Sequence, residues 1–450
     1  MRKGRILGRE TREVKEIFGR VSKRDFSGNT GQAVKNSAFQ FSTTFVSKIG
    51  SLIFTIILAR VLLPELFGLY SLALSTILIF ASLADLGIDS TIVKFISSSK
   101  KDSKSKAYFS YLLRFKIKTS LISAGLLILL SKFLSYNYYN KPEIYLALVG
   151  GSVYLLLMGL VGVFEGVFQG VNNFKKGLHK EIILQTIRLV IVPVSILLLF
   201  KFFPKAINLL LIILGLSVSF LISLLFLYSS AKREIGFFRI KTEELKPNEK
   251  KALFSFIIAL SAVVFSGIFF GFIDIFILGR YVEAEFIGYY RVAYSLITSA
   301  IPLITFSSAL LPLFSKIRGK SLERGLSRSL RLTLLISIPS TILAVLLSPF
   351  IVKHIFGEEY LPSINILRIF SILIVILPLI ALYSSFLVSQ NRPRRVAQSL
   401  IVSTFVNIVL NYILIFALLP YGQIYAVYGA TIATIISKVF YLVMLLIYRR

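Results

Sequence analysis

The chain has 450 residues, a formal net charge of +30, 56% hydrophobic residues and a mean hydropathy of +0.81, with 16% of residues charged. A soluble chain of this size carries more charge and fewer long apolar runs, so a water-soluble globular protein is excluded. The absence of cysteine excludes disulfides and thiolate metal sites, and the two histidines, His179 and His354, form no HExxH pair.

Residues 1–36 are polar and basic. Within them Val14, Ile17, Phe18 and Val21 recur at helical spacing among Arg12, Lys15, Arg20, Lys23 and Arg24. This predicts either a short helix on an anionic leaflet or a basic tail that only sets topology. With no short apolar core and no small-residue cleavage site, no cleavable signal is expected. Apolar runs then follow at 37–62, 66–95, 109–134, 143–170, 181–203, 206–230, 251–280, 286–315, 328–352, 361–389, 396–419 and 424–448. About 20 apolar residues cross about 30 Å of hydrocarbon as a helix. Backbone groups cannot stay unpaired in lipid, and a barrel would show shorter alternating segments, so the runs predict an all-α membrane protein with twelve transmembrane helices.

The gaps between runs alternate in charge. Basic gaps hold Lys100, Lys101, Lys104 and Lys106, then Lys175, Lys176 and Lys180, then Lys232 to Lys251. Later ones hold Lys316, Arg318, Lys320, Arg324 and Arg328, then Arg392, Arg394 and Arg395, and Arg449 and Arg450 close the chain. The intervening gaps hold little beyond Lys141, Lys205, Glu65, Glu283, Glu285, Glu358 and Glu359. Positive residues favour the cytoplasmic side, so both termini are expected in the cytoplasm. The same assignment accounts for the net charge without nucleic acid, for which no binding module is present.

Arg60-Val-Leu-Leu-Pro-Glu65-Leu-Phe-Gly68-Leu-Tyr70-Ser-Leu-Ala73 aligns without gaps to Arg280-Tyr-Val-Glu-Ala-Glu285-Phe-Ile-Gly288-Tyr-Tyr290-Arg-Val-Ala293, and Asn172-Asn-Phe-Lys175-Lys176 resembles Asn391-Arg-Pro-Arg394-Arg395 at nearly the same offset. Such self-similarity indicates duplication. Units with an even number of spans are parallel, which predicts an N-lobe at 37–230, a cytoplasmic linker at 231–250 and a C-lobe at 251–448 around a cavity. Pro64 cannot continue a helix interior and Gly68 opens the next run, so the pair marks a hairpin.

At these residues the chain resembles a known group. The segment Leu58-Ala-Arg60-Val-Leu-Leu-Pro64-Glu65-Leu-Phe67-Gly68-Leu-Tyr70 is similar to the first hairpin of polysaccharide-transporter proteins. These belong to the multidrug, oligosaccharidyl-lipid and polysaccharide exporter superfamily. Gln169-Gly170-Val-Asn172-Asn-Phe174-Lys175, Asp274-Ile-Phe-Ile-Leu-Gly279, Gly288-Tyr-Tyr290 and Tyr428-Gly429-Ala430-Thr-Ile-Ala433 add to the likeness, which covers residues 36–448. The resemblance implies two six-helix lobes and alternating access in the cytoplasmic membrane. It also implies carriage of a prenyl-pyrophosphate-linked glycan between leaflets, with membrane lipids, H+ or Na+ and glycan-assembly proteins as partners. No catalytic signature and no cofactor come with it.

Charges inside membrane spans are costly and mark candidate sites. Lys48 lies about 11 residues into the first run, roughly 16 Å deep by helical rise. It reads as a cavity cation for a lipid pyrophosphate or as a partner of Asp85. Arg188, about eight residues or roughly 12 Å into its run, offers forked guanidinium donors to phosphate or snorkels to the surface. Arg114, with Lys116 and Lys118, reads as a cytoplasmic mouth or as positive-inside anchors. Arg368 and Lys438 are further deep cations with either a cavity or a pairing role. Among the acids, Asp274, Asp85 and Glu165 are candidate ion-coupling carboxylates, or members of ion pairs that lock one lobe. Gly162, Gly166 and Gly170, and separately Gly267 and Gly271, have the spacing of close helix contacts. Tyr136, Tyr138, Tyr139 and Tyr360 read as an interfacial aromatic belt.

Two other functions fit twelve spans. A cation-coupled multidrug antiporter needs an acidic aromatic cavity, whereas deep cations outnumber deep acids here. A membrane-embedded glycosyltransferase needs paired carboxylates on a loop with room for a sugar, and the outer gaps are only a few residues long.

Overall fold

The computed structural model describes residues 28–99, 101–304 and 320–449. The expected tail helix around residues 14–21, Lys100, the end of the 286–315 run, Lys316, Arg318 and Arg450 lie outside them. The first half of the chain folds as α1 (Gly28–Asp85), α2 (Ile88–Ser98), α3 (Asp102–Lys132), α4 (Tyr145–Gly170), α5 (Phe174–Leu199) and α6 (Lys205–Glu234). The second half folds as α7 (Pro247–Tyr281), α8 (Ala284–Ile304), α9 (Lys320–Ile355), α10 (Ser363–Phe370), α11 (Leu373–Ser389), α12 (Pro393–Leu418) and α13 (Gln423–Arg449). No strand occurs among the described residues.

Ten helices among the described residues are long and apolar enough to cross a membrane, so the protein is a multi-pass membrane protein. The first of them, Lys35–Ser98, has 64 residues, far more than one crossing takes. It breaks where Pro64 disfavours helical backbone in the residue before it. Leu63 there adopts φ 61° and ψ 170° inside α1. A second break, at Gly87 with φ 83°, separates α1 from α2.

The duplicated segments meet each other. A Cβ on Gly68 would lie 1.7 Å from the Ala284 carbonyl oxygen, and one on Gly288 would lie 2.4 Å from that of Pro64. Only a residue without a side chain lets the α1 and α8 backbones approach this closely. Long side chains stitch the same end of the bundle. Lys141 Nζ donates to the Gly279 carbonyl at 2.8 Å, Tyr360 Oη to Ala59 O at 2.9 Å and Arg60 Nε to Ile355 O at 2.6 Å. At the opposite end the 235–246 segment lies on α3. Phe238 packs on Phe109 with ring centroids 4.8 Å apart, Lys106 Nζ donates to Phe238 O at 3.2 Å, and Lys104 pairs with Glu249 at the start of α7.

Two packing expectations need correcting. Gly162, Gly166 and Gly170 do bring α4 onto α2, against Asp89, Ile92 and Ile96, but a Cβ on Gly267 or Gly271 would meet nothing within 4 Å. Those two glycines share a face of α7 with Leu260, because seven and eleven residues are close to whole numbers of turns. Leu260 reaches Gly87 in the first half, so the glycine face of α7 looks across open space at that half. The tyrosines are also not a uniform belt. Tyr136 is exposed, but Tyr139 and Tyr360 are fully buried, and Tyr139 Oη lies 2.8 Å from Thr76 Oγ1. Each buried phenol has found a hydrogen bond, which sequence spacing does not encode.

Gly68→Ala forces its new methyl into a backbone oxygen. It should destabilise the protein by about 1–3 kcal/mol, read as a lower melting temperature in detergent. Gly125→Ala, on an open face of α3, should leave the melting temperature unchanged or higher.

Candidate functional site

Where the two halves face each other, three cations make no ion pair among the described residues, although Glu181 lies within the field of Arg188. Lys48 on α1 is exposed and makes no hydrogen bond or ion pair among the described residues. Its nearest charged influence is repulsion from Arg291 on α8, in the other half. Lys48 thus lies within electrostatic range of a helix in the other half. Arg188 on α5 donates from Nη2 to Ser51 Oγ at 2.9 Å, and its guanidinium lies 4.7 Å from the Phe54 ring centroid. Its Nε is buried without a hydrogen-bond partner. Arg291 has the Phe272 ring at 5.8 Å, and Tyr70, Tyr290 and Tyr294 supply its electrostatic surroundings. Tyr70 also lies within the field of Arg188, so one phenol links the two guanidinium groups across the seam. Aromatic faces stabilise a cation without consuming its donors, which stay available to an anion.

Sequence reasoning passed over Arg291. It stands seven residues into α8, where the first repeat has Ser71, and a charge at that depth was itself a signal.

Asp274 on α7 is 3% exposed and is the centre of a second cluster. It accepts hydrogen bonds from Tyr290 Oη on α8, Asn411 Nδ2 on α12 and Thr434 Oγ1 on α13, each at 2.5 Å. Four helices are thus tied to one carboxylate. Lys438, one turn beyond Thr434, points its Nζ onto the Phe270 ring at 3.2 Å from the centroid and makes no ion pair with Asp274. All three direct donors are neutral.

The other candidate acids have lysine partners. Lys116 Nζ lies 2.5 Å from Asp85 and 2.9 Å from Asp89, and its side chain is 1% exposed. Lys116 is therefore neither a mouth residue nor a surface anchor, and it takes the partnership with Asp85 considered for Lys48. Glu165 lies 2.7 Å from Lys180, which also pairs with Glu181 at 3.0 Å, and Gln185 donates to Glu181 at 2.7 Å. Arg114 is exposed and lines a cavity of about 400 Å³ with Glu243, Glu244 and Lys250 of the linker segment. Arg368 is held within the second half, by Ser348 Oγ at 3.0 Å and Asn365 Oδ1 at 3.2 Å. Neither joins the Lys48, Arg188 and Arg291 group. No cluster of three or more metal-ligating side chains occurs among the described residues.

Comparison with known proteins bears on this arrangement. The family model described as polysaccharide biosynthesis protein matches residues 33–318, well over half of the chain. The chain belongs to the polysaccharide biosynthesis protein family. A second model, MatE, matches residues 255–413 of this family member. It is 26% identical over 211 residues to the probable low-salt glycan biosynthesis flippase Agl15 of Haloferax volcanii, an alignment covering 45% of this chain and 43% of that one. The match thus spans less than half the length of the curated relatives. Among solved structures, the lipid II flippase MurJ in an inward closed conformation aligns with a TM-score of 0.72 at 17% identity, covering 90% of this chain and 87% of MurJ. An inward-facing multidrug resistance MATE transporter of the MOP superfamily aligns with a TM-score of 0.69 at 13% identity, covering 89% and 94%. These likenesses show that the chain shares the fold of both.

Lys116→Met in this family member leaves Asp85 and Asp89, 23% and 33% exposed, side by side without their cation. Partial exposure of the two carboxylates makes the loss smaller than the about 3–5 kcal/mol of a fully buried pair, and thermal unfolding in detergent should still shift downward. Lys116→Met combined with Asp89→Asn should recover part of the loss.

Proposed function

We propose that this chain is a flippase for prenyl-pyrophosphate-linked glycans in the cytoplasmic membrane, a transporter and not a catalyst. The observation that carries the reading is the group of Lys48, Arg188 and Arg291, three cations at the seam between halves that make no ion pair among the described residues. A pyrophosphate matches them in charge and in its forked acceptor geometry. Each polar group of a glycan left bare in hydrocarbon costs several kcal/mol. A cationic chamber between lobes hides the head group while the prenyl tail stays in lipid. The names of Agl15 and MurJ, flippases of glycan biosynthesis and of lipid II, support the same class of cargo.

The architecture in this reading is twelve spans in two lobes, 37–230 and 251–448, joined by the 231–250 linker. The break at Leu63 supports counting the first long helix as two spans. Alternating basic gaps support cytoplasmic termini, which makes the Gly68–Gly288 contact the outer seal. With that seal closed, the lobes load from the inner leaflet and rock about it. Open space at Gly267 and Gly271 suits the chamber wall. Arg114 and the linker cavity form the inner mouth, while Arg368 and Lys438 act within the C-lobe. Asp274 is the coupling carboxylate, in preference to Asp85 and Glu165, because its direct donors are neutral and theirs are lysines. A proton or sodium ion moving there draws on about 2.3 kcal/mol per charge for each 100 mV.

The test uses proteoliposomes with a fluorescent prenyl-pyrophosphate probe, its leaflet reported by dithionite quenching. Lys48→Ala and Arg188→Ala should each slow flipping by about 30-fold, equivalent to about 2 kcal/mol of lost anion contact, while the protein remains folded in the membrane. Full activity in both removes the chamber assignment. Asp274→Asn should blunt the acceleration produced by an imposed pH or sodium gradient, and an unchanged response removes the coupling role.

A further inference from the structure

Along α12, Ser399, Ser403, Asn407 and Asn411 recur at every fourth residue, and each is 0% exposed. Four-residue spacing stacks them on one face, and the file spans about 18 Å by helical rise. One end lies a turn from the basic Arg392–Arg395 segment, since Ser399 Oγ donates to the Arg395 carbonyl at 2.8 Å. The other end is Asn411, whose Nδ2 donates to Asp274 Oδ1 at 2.5 Å.

The atoms between these ends lack partners. Ser403 Oγ, both polar atoms of the Asn407 side chain and Asn411 Oδ1 make no hydrogen bond to the protein. Many other buried helix serines return to their own helix, as Ser219 Oγ does to Gly215 O at 3.1 Å and Ser437 Oγ to Ala433 O at 2.7 Å, and the unmet ones, Ser71, Ser120, Ser337 and Ser363, stand singly on separate helices. An unmet buried polar group costs about 1–3 kcal/mol, and a file of them inside an otherwise apolar lobe is satisfied by water. The facing walls add polar groups: Thr404 Oγ1 donates to Ser266 O of α7 at 3.2 Å, and Thr434 of α13 donates to Asp274. The ionisable groups around Asp274 are Lys438 on α13 and Tyr290, Arg291 and Tyr294 on α8. None of them belongs to the Ser399–Asn411 face.

We propose that this face of α12 is a water-filled conduit inside the second lobe, by which a small cation, hydronium or sodium, passes between Asp274 and the cytoplasmic surface without entering the cargo chamber. The proposal rests on the reading of Asp274 as the coupling carboxylate. Its neutral oxygens and amides solvate a cation in transit, and only Asp274 offers a full charge at which it stops. Separate routes let ion exchange proceed while the chamber is occupied by lipid-linked cargo.

The chain has no cysteine, so one introduced thiol is unique. In the full-length protein, Ser403→Cys and Asn407→Cys are exposed to 2-aminoethyl methanethiosulfonate, with Ser219→Cys as an equally buried but bonded reference. Only a thiolate reacts, and it forms where water reaches, so the two α12 positions should label at least about tenfold faster than the reference. Equal rates overturn the conduit. Radioactive sodium uptake, and proton uptake followed by an entrapped pH dye in sodium-free buffer, are then measured in proteoliposomes. Asn407→Leu should abolish whichever uptake the unaltered protein shows, and Asn407→Ser should retain it. Fast labelling with full uptake in Asn407→Leu makes the file a hydrated pocket and overturns its role as a conduit. Uptake that survives Asp274→Asn but not Asn407→Leu removes the coupling carboxylate and leaves the conduit standing. If Asn407→Leu does not fold, the Ser403→Cys rate decides.

Discussion

In hydrocarbon a polar or charged group without a partner costs several kcal/mol, and no water stands by to supply one. This chain meets that demand in most of its interior. Lys116 settles Asp85 and Asp89, Lys180 settles Glu165 and Glu181, and buried hydroxyls return to carbonyls of their own helices. Against that background the exceptions carry information. Lys48, Arg188 Nε, Arg291 and the Ser403, Asn407 and Asn411 side chains are among the places where the described residues leave polar groups to something other than the protein. The paired acids are spoken for within the protein, and the groups left over are the ones on which the proposed handling of cargo and ion rests.

The duplication gives the molecule its seam. Two copies of one hairpin meet through Gly68 and Gly288, backbone against backbone. Around that contact Arg60, Lys141 and Tyr360 donate hydrogen bonds across the halves. Away from it, α7 turns Gly267 and Gly271 to open space, so the same residue type serves closeness at one end and room in the middle. The halves differ in their polar content. Where the first half has Arg188, the second has the neutral Asn407 at the repeat offset of 219 residues, a difference that the proposed separation of anion binding from ion handling rests on.

Several features were legible from the residues because they depend on local chemistry alone. Apolar runs of crossing length, the Pro64 break and the glycine ridge of α4 follow from helical rise, the proline ring and side-chain size. Asp274 stood out as a deep acid. Its donors did not, since Tyr290, Asn411 and Thr434 come from three distant stretches and no spacing rule joins them. Tyr139 and Tyr360 looked like belt residues because a tyrosine near a span end has that prior, and only the packing of neighbouring helices shows them to be core. Arg291 sat inside the repeat itself, and attention to the matching positions hid the one that differs.

By itself the sequence determined that this is a helical membrane protein with a self-similar hairpin and excess cations, and that it resembles polysaccharide transporters. These properties are additive along a chain: hydropathy, charge and repeat offset need no knowledge of neighbours. Tertiary structure decided which charges are spoken for. Whether Lys48 or Lys116 takes Asp85, whether Arg188 keeps a free donor, and whether a glycine meets a carbonyl or empty space depend on rotation of each helix about its axis. That rotation is set by packing against helices far away in sequence, and no single run of residues contains it.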